Sequence, residues 1–409
     1  MISRRKAILG AIIIILITSL STFVLSNIIQ ITIDDKVLIT KNDYEKLMDV
    51  YKKYEKVIAI ENMVKQNFLN DVEDKDLVEG QIKGMFQALG DPYSVYMTKD
   101  EFTSFMEHTK GTYGGIGIIV APGEDNLITV VSPIEDTPGE RAGIKPGDKI
   151  VKVNGKEFTA DKMDDAVKVM KGKPKTNVDI TILRKDENGN SKFIDLTITR
   201  ETIRLKSVKS KMLKDKIGYI RIISFDELTY EDFMKHLEKL QDNGMKGLII
   251  DLRNNPGGLL SETVEIADEL IGKSVVVYTE TKNGEREYRR SDADKLNIPF
   301  VVLVNEGSAS ASEILSGAVK DTNSGILIGT KTFGKGIVQR ITQLKDGSGF
   351  KLTVSEYFTP SGVSIHGKGI EPDIVLENPD DIEQIGVKNI EEDKQLQKAI
   401  EVIKEEIGK

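Results

Sequence analysis

The sequence predicts a multidomain α/β protein with helical segments at both ends. Three observations carry this. After Arg200, short apolar β-rich runs alternate with helical periodicity, and the run from Gly247 to Leu252 is almost wholly apolar, the pattern of a strand buried on both faces of a largely parallel sheet. Residues 111–200 instead string strand-like runs between turns rich in Gly and Pro. Residues 43–109 and 391–409 show helical periodicity with charged faces.

Composition narrows the function classes. Of 409 residues, 39% are hydrophobic and 30% charged, which supplies two or three cores and excludes global disorder. The net charge of -8 comes from interleaved lysines and acids, so no nucleic-acid partner is expected. The absence of cysteine rules out disulfides, thiolate metal sites and cysteine nucleophiles, and no metal or cofactor is expected. Any Ser-His-Asp mechanism must draw on His108, His236 or His366.

Arg4, Arg5 and Lys6 precede an apolar run over residues 7–25. As a helix that run rises about 28 Å, close to the thickness of a bilayer core. The basic flank stays in the cytoplasm, so the expected location is a cell membrane, single-pass, with the rest of the chain extracytoplasmic. A cleaved signal peptide is the rival reading. No small-x-small cleavage site follows, which favours a retained anchor.

Residues 43–70 carry one apolar stripe (Leu47, Val50, Tyr51, Tyr54, Val57, Ile58) on an otherwise polar helix, suited to packing on its own domain or on a second copy of the chain. A second helix is expected over 76–89, stopped by Gly90-Asp91-Pro92, and a third over 99–109. In the turn-rich segment, strands are expected at 127–131, 149–153, 178–183 and 193–199, with a helix over 161–170. Beyond it the spacing predicts strands at 217–222, 247–252, 275–278, 300–304 and 326–328, and helices over 230–241, 261–270, 310–320 and 391–409.

Four places stand out chemically. Gly114-Gly115-Ile116-Gly117 before a strand can aim several N–H groups at one carboxylate. Asp251-Leu252-Arg253-Asn254-Asn255-Pro256-Gly257-Gly258 follows the buried strand, and its glycines let backbone approach a ligand. Ser308-Ala309-Ser310-Ala311-Ser312-Glu313 runs from a strand into a helix, where free N–H groups favour a developing oxyanion. Ser310-x-x-Glu313 also fits a helix capping box, and the residues alone do not choose among the three serines. Finally, Lys335 sits between Gly334 and Gly336 beside apolar residues; desolvation there would lower its pKa and make it a general base, although an isolated lysine of this sort is usually a surface residue.

Ser132-Pro133, Ala142-Gly143-Ile144, Pro146-Gly147-Asp148 and Val153-Asn154-Gly155 follow the Gly-rich loop in an order that resembles a PDZ domain of the bacterial protease-associated kind. The resemblance implies that Tyr113, Gly114, Gly115, Ile116, Gly117 and Ile118 form the carboxylate loop and the first ligand-pairing strand, with Val167 and Met170 facing the groove, although for each of these two a place in the plain core is at least as well supported. With Gly90-Asp91-Pro92-Tyr93-Ser94 ahead of it and Gly367-Lys368-Gly369-Ile370-Glu371-Pro372-Asp373 behind, nearly the whole chain resembles the carboxyl-terminal processing peptidases, also called tail-specific proteases. That resemblance implies a Clp-protease/crotonase-like α/β protease core (201–378) with an inserted PDZ domain (111–200); the chain's own pattern adds a membrane anchor or uncleaved signal (1–30), a helical N-terminal region (31–110) and a C-terminal helical segment (379–409). It implies Ser310 as nucleophile, Lys335 as general base, Gln339 as the residue orienting that lysine, and the N–H groups of Gly258 and Ala311 as the oxyanion hole. Substrates would be proteins with free C-terminal tails, and a homodimer through the terminal helices is a further expectation. A chymotrypsin-type protease is disfavoured, because the chain lacks its serine motif and alternates β and α. A membrane-tethered PDZ binding protein without catalysis remains the alternative.

Overall fold

The computed structural model describes residues 3–28, 32–33, 36–37, 39–185, 189–379, 382 and 384–408. The ends of the expected anchor (residues 1–2 and 29–30) and the last residue of the expected C-terminal helix, Lys409, lie outside the described residues. The chain divides into two compact units, Met1–Gln81 and Ile82–Lys409.

In the first unit, α1 (Arg4–Ile28) contains a stretch, Arg4–Phe23, long and apolar enough to cross a membrane. The short strands β1 (Thr32–Ile33) and β2 (Lys36–Val37) pair antiparallel. Thr40 caps α2 (Lys41–Asn67), accepting from the Asp43 N–H. No residue of α2 is buried, and the expected stripe is exposed, from Leu47 at 60% to Val57 at 38%. The helix α3 (Asp74–Gln87) begins in this unit and ends in the next.

The second unit starts within the expected helical region, because β3 (Val95–Met97) is stitched into a later sheet. A capping box formed by Thr98 and Glu101 starts α4 (Lys99–Lys110), and Gly111 ends it at φ 67°. Next come β4 (Thr112–Gly115), β5 (Ile118–Pro122) and β6 (Ile128–Pro133). The short α5 (Pro138–Arg141) was not expected. It is followed by β7 (Lys149–Val153), β8 (Lys156–Glu157) and α6 (Met163–Met170). The long hairpin β9 (Asn177–Lys185) and β10 (Ser191–Thr199) completes a six-stranded sheet of order β10-β9-β7-β6-β5, with β8 on β7. Its core holds Ile128, Val130, Ile150, Ile180 and Ile182. Asp148 of the Pro-Gly-Asp turn is buried and takes a two-pronged ion pair from Arg184 at 2.7 Å. The strand β11 (Glu201–Arg204) returns to pair with β4.

The remaining chain builds the sheet that positions the site. Its strands are β12 (Val208–Met212), β13 (Ile217–Ile222) and β14 (Gly247–Asp251), with α7 (Thr229–Asp242) between the last two. After α8 (Leu260–Leu270), the strands β15 (Val275–Thr281) and β16 (Arg286–Arg290) leave for a second sheet. The first sheet resumes with β17 (Phe300–Val304), α9 (Ala311–Asp321) and β18 (Ile326–Gly329). A hairpin of β19 (Ile337–Gln343) and β20 (Gly349–Phe358) joins β15, and β21 (Ile374–Val375) closes the first sheet in the order β12-β13-β14-β17-β18-β21. All neighbours from β13 onward are parallel. Alternate residues of its strands pack on α7, α8 and α9 on one face. The others (Tyr219, Ile249, Val301, Leu303) meet α10 (Lys394–Ile407) on the opposite face. Burial on both faces explains why β14 and β17 read as unbroken apolar runs.

Candidate active site

The loop after β14 and the head of α9 are laced together, and the lacing distinguishes the three serines. Ser308 and Ser312 are fully buried. The Ser308 hydroxyl donates to the Leu252 carbonyl (2.9 Å) and the Ser312 hydroxyl to the Asn255 carbonyl (3.0 Å). Ser310 is only half-buried. Its hydroxyl lies within reach of the Glu313 N–H, as a capping box requires, but that N–H points at the Ser310 carbonyl at 2.9 Å and no side-chain cap bond forms. Of the three serines, Ser310 is the one whose hydroxyl donates to no carbonyl among the described residues.

Ser310 is also held in an unusual backbone conformation, φ 54° and ψ -110°, a region that costs a non-glycine residue about 1–3 kcal/mol. Its surroundings hold it there. Tyr357, buried on β20, donates its hydroxyl to the Ser310 carbonyl at 3.0 Å. Gly257, at φ 100°, lies so close that a Cβ would stand 2.9 Å from Ser310 Cβ. Asn255 accepts the Gly257 N–H at 2.9 Å and fixes that approach.

Glu313, read above only as a capping residue, ties the two candidate reactive residues together. Its carboxylate is wholly buried. One oxygen accepts the N–H groups of Ser310 and Lys335, both at 2.8 Å. The other accepts the Thr332 hydroxyl (2.6 Å) and the Gly334 N–H (2.7 Å). The backbones of Ser310 and Lys335 thus hang from one side chain.

A cavity of about 720 Å³ is lined by Gly258, Ser310, Ala311, Lys335 and Gln339, with Phe225, Leu260, Ile314 and Ile337 among its apolar walls. Among the described residues nothing accepts the N–H of Gly258 or of Ala311, so two donors beside Ser310 are free. Burial holds the Lys335 ammonium below its ordinary value, and Lys351 adds to this, while Asp91 and Glu313 oppose it. The expected contacts of its amine are not made in this conformation. Lys335 Nζ lies 4.5 Å from the centre of the Tyr93 ring, and no hydrogen bond joins it to Ser310 or Gln339. The Gln339 amide instead reaches the Ile337 carbonyl (3.4 Å) and the Thr353 hydroxyl (3.5 Å). Of the histidines, His108 lines the cavity rim, His236 bonds Ser210, and His366 lies behind Gly336; none bonds Ser310.

Behind the glycine loop lies a second cluster that the sequence did not reveal. Arg253 is fully buried and grips Asp251 (2.6 and 2.9 Å) and Asp393 (both contacts 2.8 Å). Asp393 also caps α10 through the Leu396 N–H, so the C-terminal helix is fastened to the loop that carries Gly257 and Gly258. Burial alone would lower the Arg253 pKa, but its two carboxylates overcome this and hold it raised.

At the PDZ-like loop, Tyr113–Gly115 belong to β4, Ile118 starts β5, and Ile116 and Gly117 lie between. The N–H groups of Ile116 and Gly117 have no acceptor among the described residues. The end strand β5 is paired on one side only. Of the two alternatives left open for them, Met170 takes the core, and Val167 packs against the same core.

Comparison with known proteins gives the family. Residues 216–376 match the model of peptidase family S41, residues 129–184 a PDZ domain, and residues 15–101 the N-terminal domain of the activating protease CtpB. The chain is 41% identical over 330 residues to the carboxy-terminal processing protease CtpA of Bacillus subtilis, covering 80% of this chain and 70% of that one. It is 40% identical over 367 residues to a probable CtpA-like serine protease of Staphylococcus aureus, covering 88% and 71%. Among solved structures, a putative S41 protease from Bacteroides fragilis matches in fold with a TM-score of 0.52 at 15% identity, covering 85% of this chain and 97% of that one. The photosystem II D1 C-terminal processing protease matches at 28% identity over 78% and 86%, with a TM-score of 0.46. The chain belongs to the S41 carboxy-terminal processing proteases, PDZ-bearing serine peptidases.

Proposed function

We propose that Ser310 is the nucleophile of this peptidase, Lys335 its general base, and Gln339 the side chain that orients the lysine. Neutral Lys335 takes the Ser310 proton as the oxygen attacks the scissile carbonyl, the Gly258 and Ala311 N–H groups hold the oxyanion, and the lysine then protonates the leaving amine. Water clears the acyl-enzyme. The observation that carries this reading is the Ser310 hydroxyl at the head of α9, which donates to no acceptor among the described residues and is flanked by two free N–H groups in the cavity that also holds Lys335. The test is cleavage of an unfolded model protein by the chain without α1. Ser310→Ala and Lys335→Ala should each lose at least about 10³-fold in kcat while melting normally; retained cleavage by either assigns the chemistry elsewhere.

The PDZ segment, residues 111–200, takes the C-terminal carboxylate of a protein substrate on the loop Tyr113–Ile118, and the tail adds to the open edge of β5. The lack of a hydrogen bond between Lys335 and Ser310 among the described residues fits a resting state that tail binding rearranges. Loosening the loop by substitution at Gly117 should then impair cleavage of proteins more than of short peptides; equal loss on both removes the gating role. The helix α1 anchors the chain in a cell membrane with the peptidase outside, and the exposed stripe of α2 takes a second copy. The C-terminal helix, expected to share in that dimer, has its apolar face covered by its own sheet. Sedimentation of a chain lacking α2 tests the assembly: a monomer supports it and a dimer refutes it.

A further inference from the structure

The turn Asp91-Pro92-Tyr93-Ser94 lies far from the serine and lysine in sequence, yet it reaches the lysine in space. It is built to be rigid. Asp91 accepts the Tyr93 N–H (3.0 Å) and the Ser94 hydroxyl (2.5 Å). The buried Ser94 hydroxyl in turn accepts the Thr353 N–H of β20 at 3.0 Å. Thr353 is the residue opposite Gln339 in the β19–β20 pairing, and its hydroxyl is the one the Gln339 amide approaches. One strand position therefore fastens both the tyrosine turn and the residue assigned to orient the base.

We propose that Tyr93 is a positioning residue for Lys335, its ring face holding the amine off Ser310 until the site is engaged. An ammonium 4.5 Å from a ring centroid is within cation–π range. The attraction needs the charge, so the ring favours the protonated, catalytically idle lysine. The other groups facing Lys335 are Lys351 of β20, Asp91 of the turn and Glu313 of α9, with His366 behind Gly336 and Glu356 opposite Ile337. None of them bonds its amine among the described residues.

This inference rests on the assignment of Lys335 as base, and its test separates the two. The rate at which a fluorophosphonate labels Ser310 is followed against pH in the full chain. Tyr93→Leu should move the acid limb to lower pH by about half to one unit, a three- to tenfold faster labelling below the limb. Tyr93→Phe keeps the ring and should keep the parental limb. Replacing residue 93 by phenylalanines of increasing fluorine content preserves shape while weakening the ring face, and should lower the limb stepwise; this series decides the matter if the leucine chain does not fold. A limb that stays put through the leucine or fluorinated chains, or one that moves as far with phenylalanine as with leucine, overturns the role of Tyr93. If Lys335→Ala labels as fast as the parent, the assignment of the base fails instead.

Discussion

Arg253 and Lys335 are both cations withdrawn from water beside the same glycine loop and serine helix, and they differ in what they touch. Arg253 is fully enclosed and meets two carboxylates in fork geometry, so its charge is fixed. Lys335 is half-buried, and its amine meets an aromatic face rather than a carboxylate. Glu313 is close enough to be felt, yet its oxygens are taken up by backbone N–H groups and the Thr332 hydroxyl. Pairing turns a buried charge into structure. Leaving a partly buried cation without a carboxylate instead lowers its pKa, as at Lys335.

The largest effect on stability should come from breaking the paired cation. Asp393→Ala leaves Arg253 with one carboxylate and uncaps α10, and should cost about 3–5 kcal/mol in urea unfolding. A cost near zero would mean that the cluster is not what fastens α10. Glu313→Gln comes next. A carboxamide cannot accept from four donors, so the Ser310 and Lys335 backbones should lose their common anchor and kcat should fall about 10- to 100-fold. Because Glu313 raises the Lys335 pKa, the acid limb of the pH–rate profile should also move to lower pH. A fall in kcat with an unmoved limb would separate the two roles.

The smallest effect has the opposite sign. A lysine whose folded pKa lies below its unfolded value binds fewer protons folded than unfolded between the two, so stability rises as pH climbs through that window. Below the window the buried ammonium costs stability. Lys335→Met should therefore melt above the parent at pH 7, with the gap closing toward pH 10, although it should lose activity. A lower melting temperature at pH 7 would show that Lys335 is a stabilising group like Arg253.

The sequence made much of this legible where local pattern and tertiary demand coincide. The apolar runs of β14 and β17 announced a doubly covered sheet, and the Gly-rich loop announced free N–H groups. The residues alone did not choose among the serines, because three hydroxyls two positions apart differ only in which carbonyls the loop after β14 presents to them. Glu313 matched a capping box, and the pattern hides that its carboxylate turns toward residues 332–335. The β19–β20 hairpin was missed although Asp346-Gly347 between β-branched runs is a hairpin signal. The Arg253–Asp393 contact joins residues 140 apart, a distance over which no periodicity reports.

The central claim is that Lys335 gives up its proton below the ordinary lysine value of 10.5 and thereby activates Ser310. The pH dependence of fluorophosphonate labelling at Ser310, in the parent and in Lys335→Ala, measures this directly. The account predicts a parental rate that rises through an apparent pKa below 10.5 and a rise that vanishes in the alanine chain. A parental rate that climbs only at the ordinary lysine value, or the same curve in both chains, would contradict it.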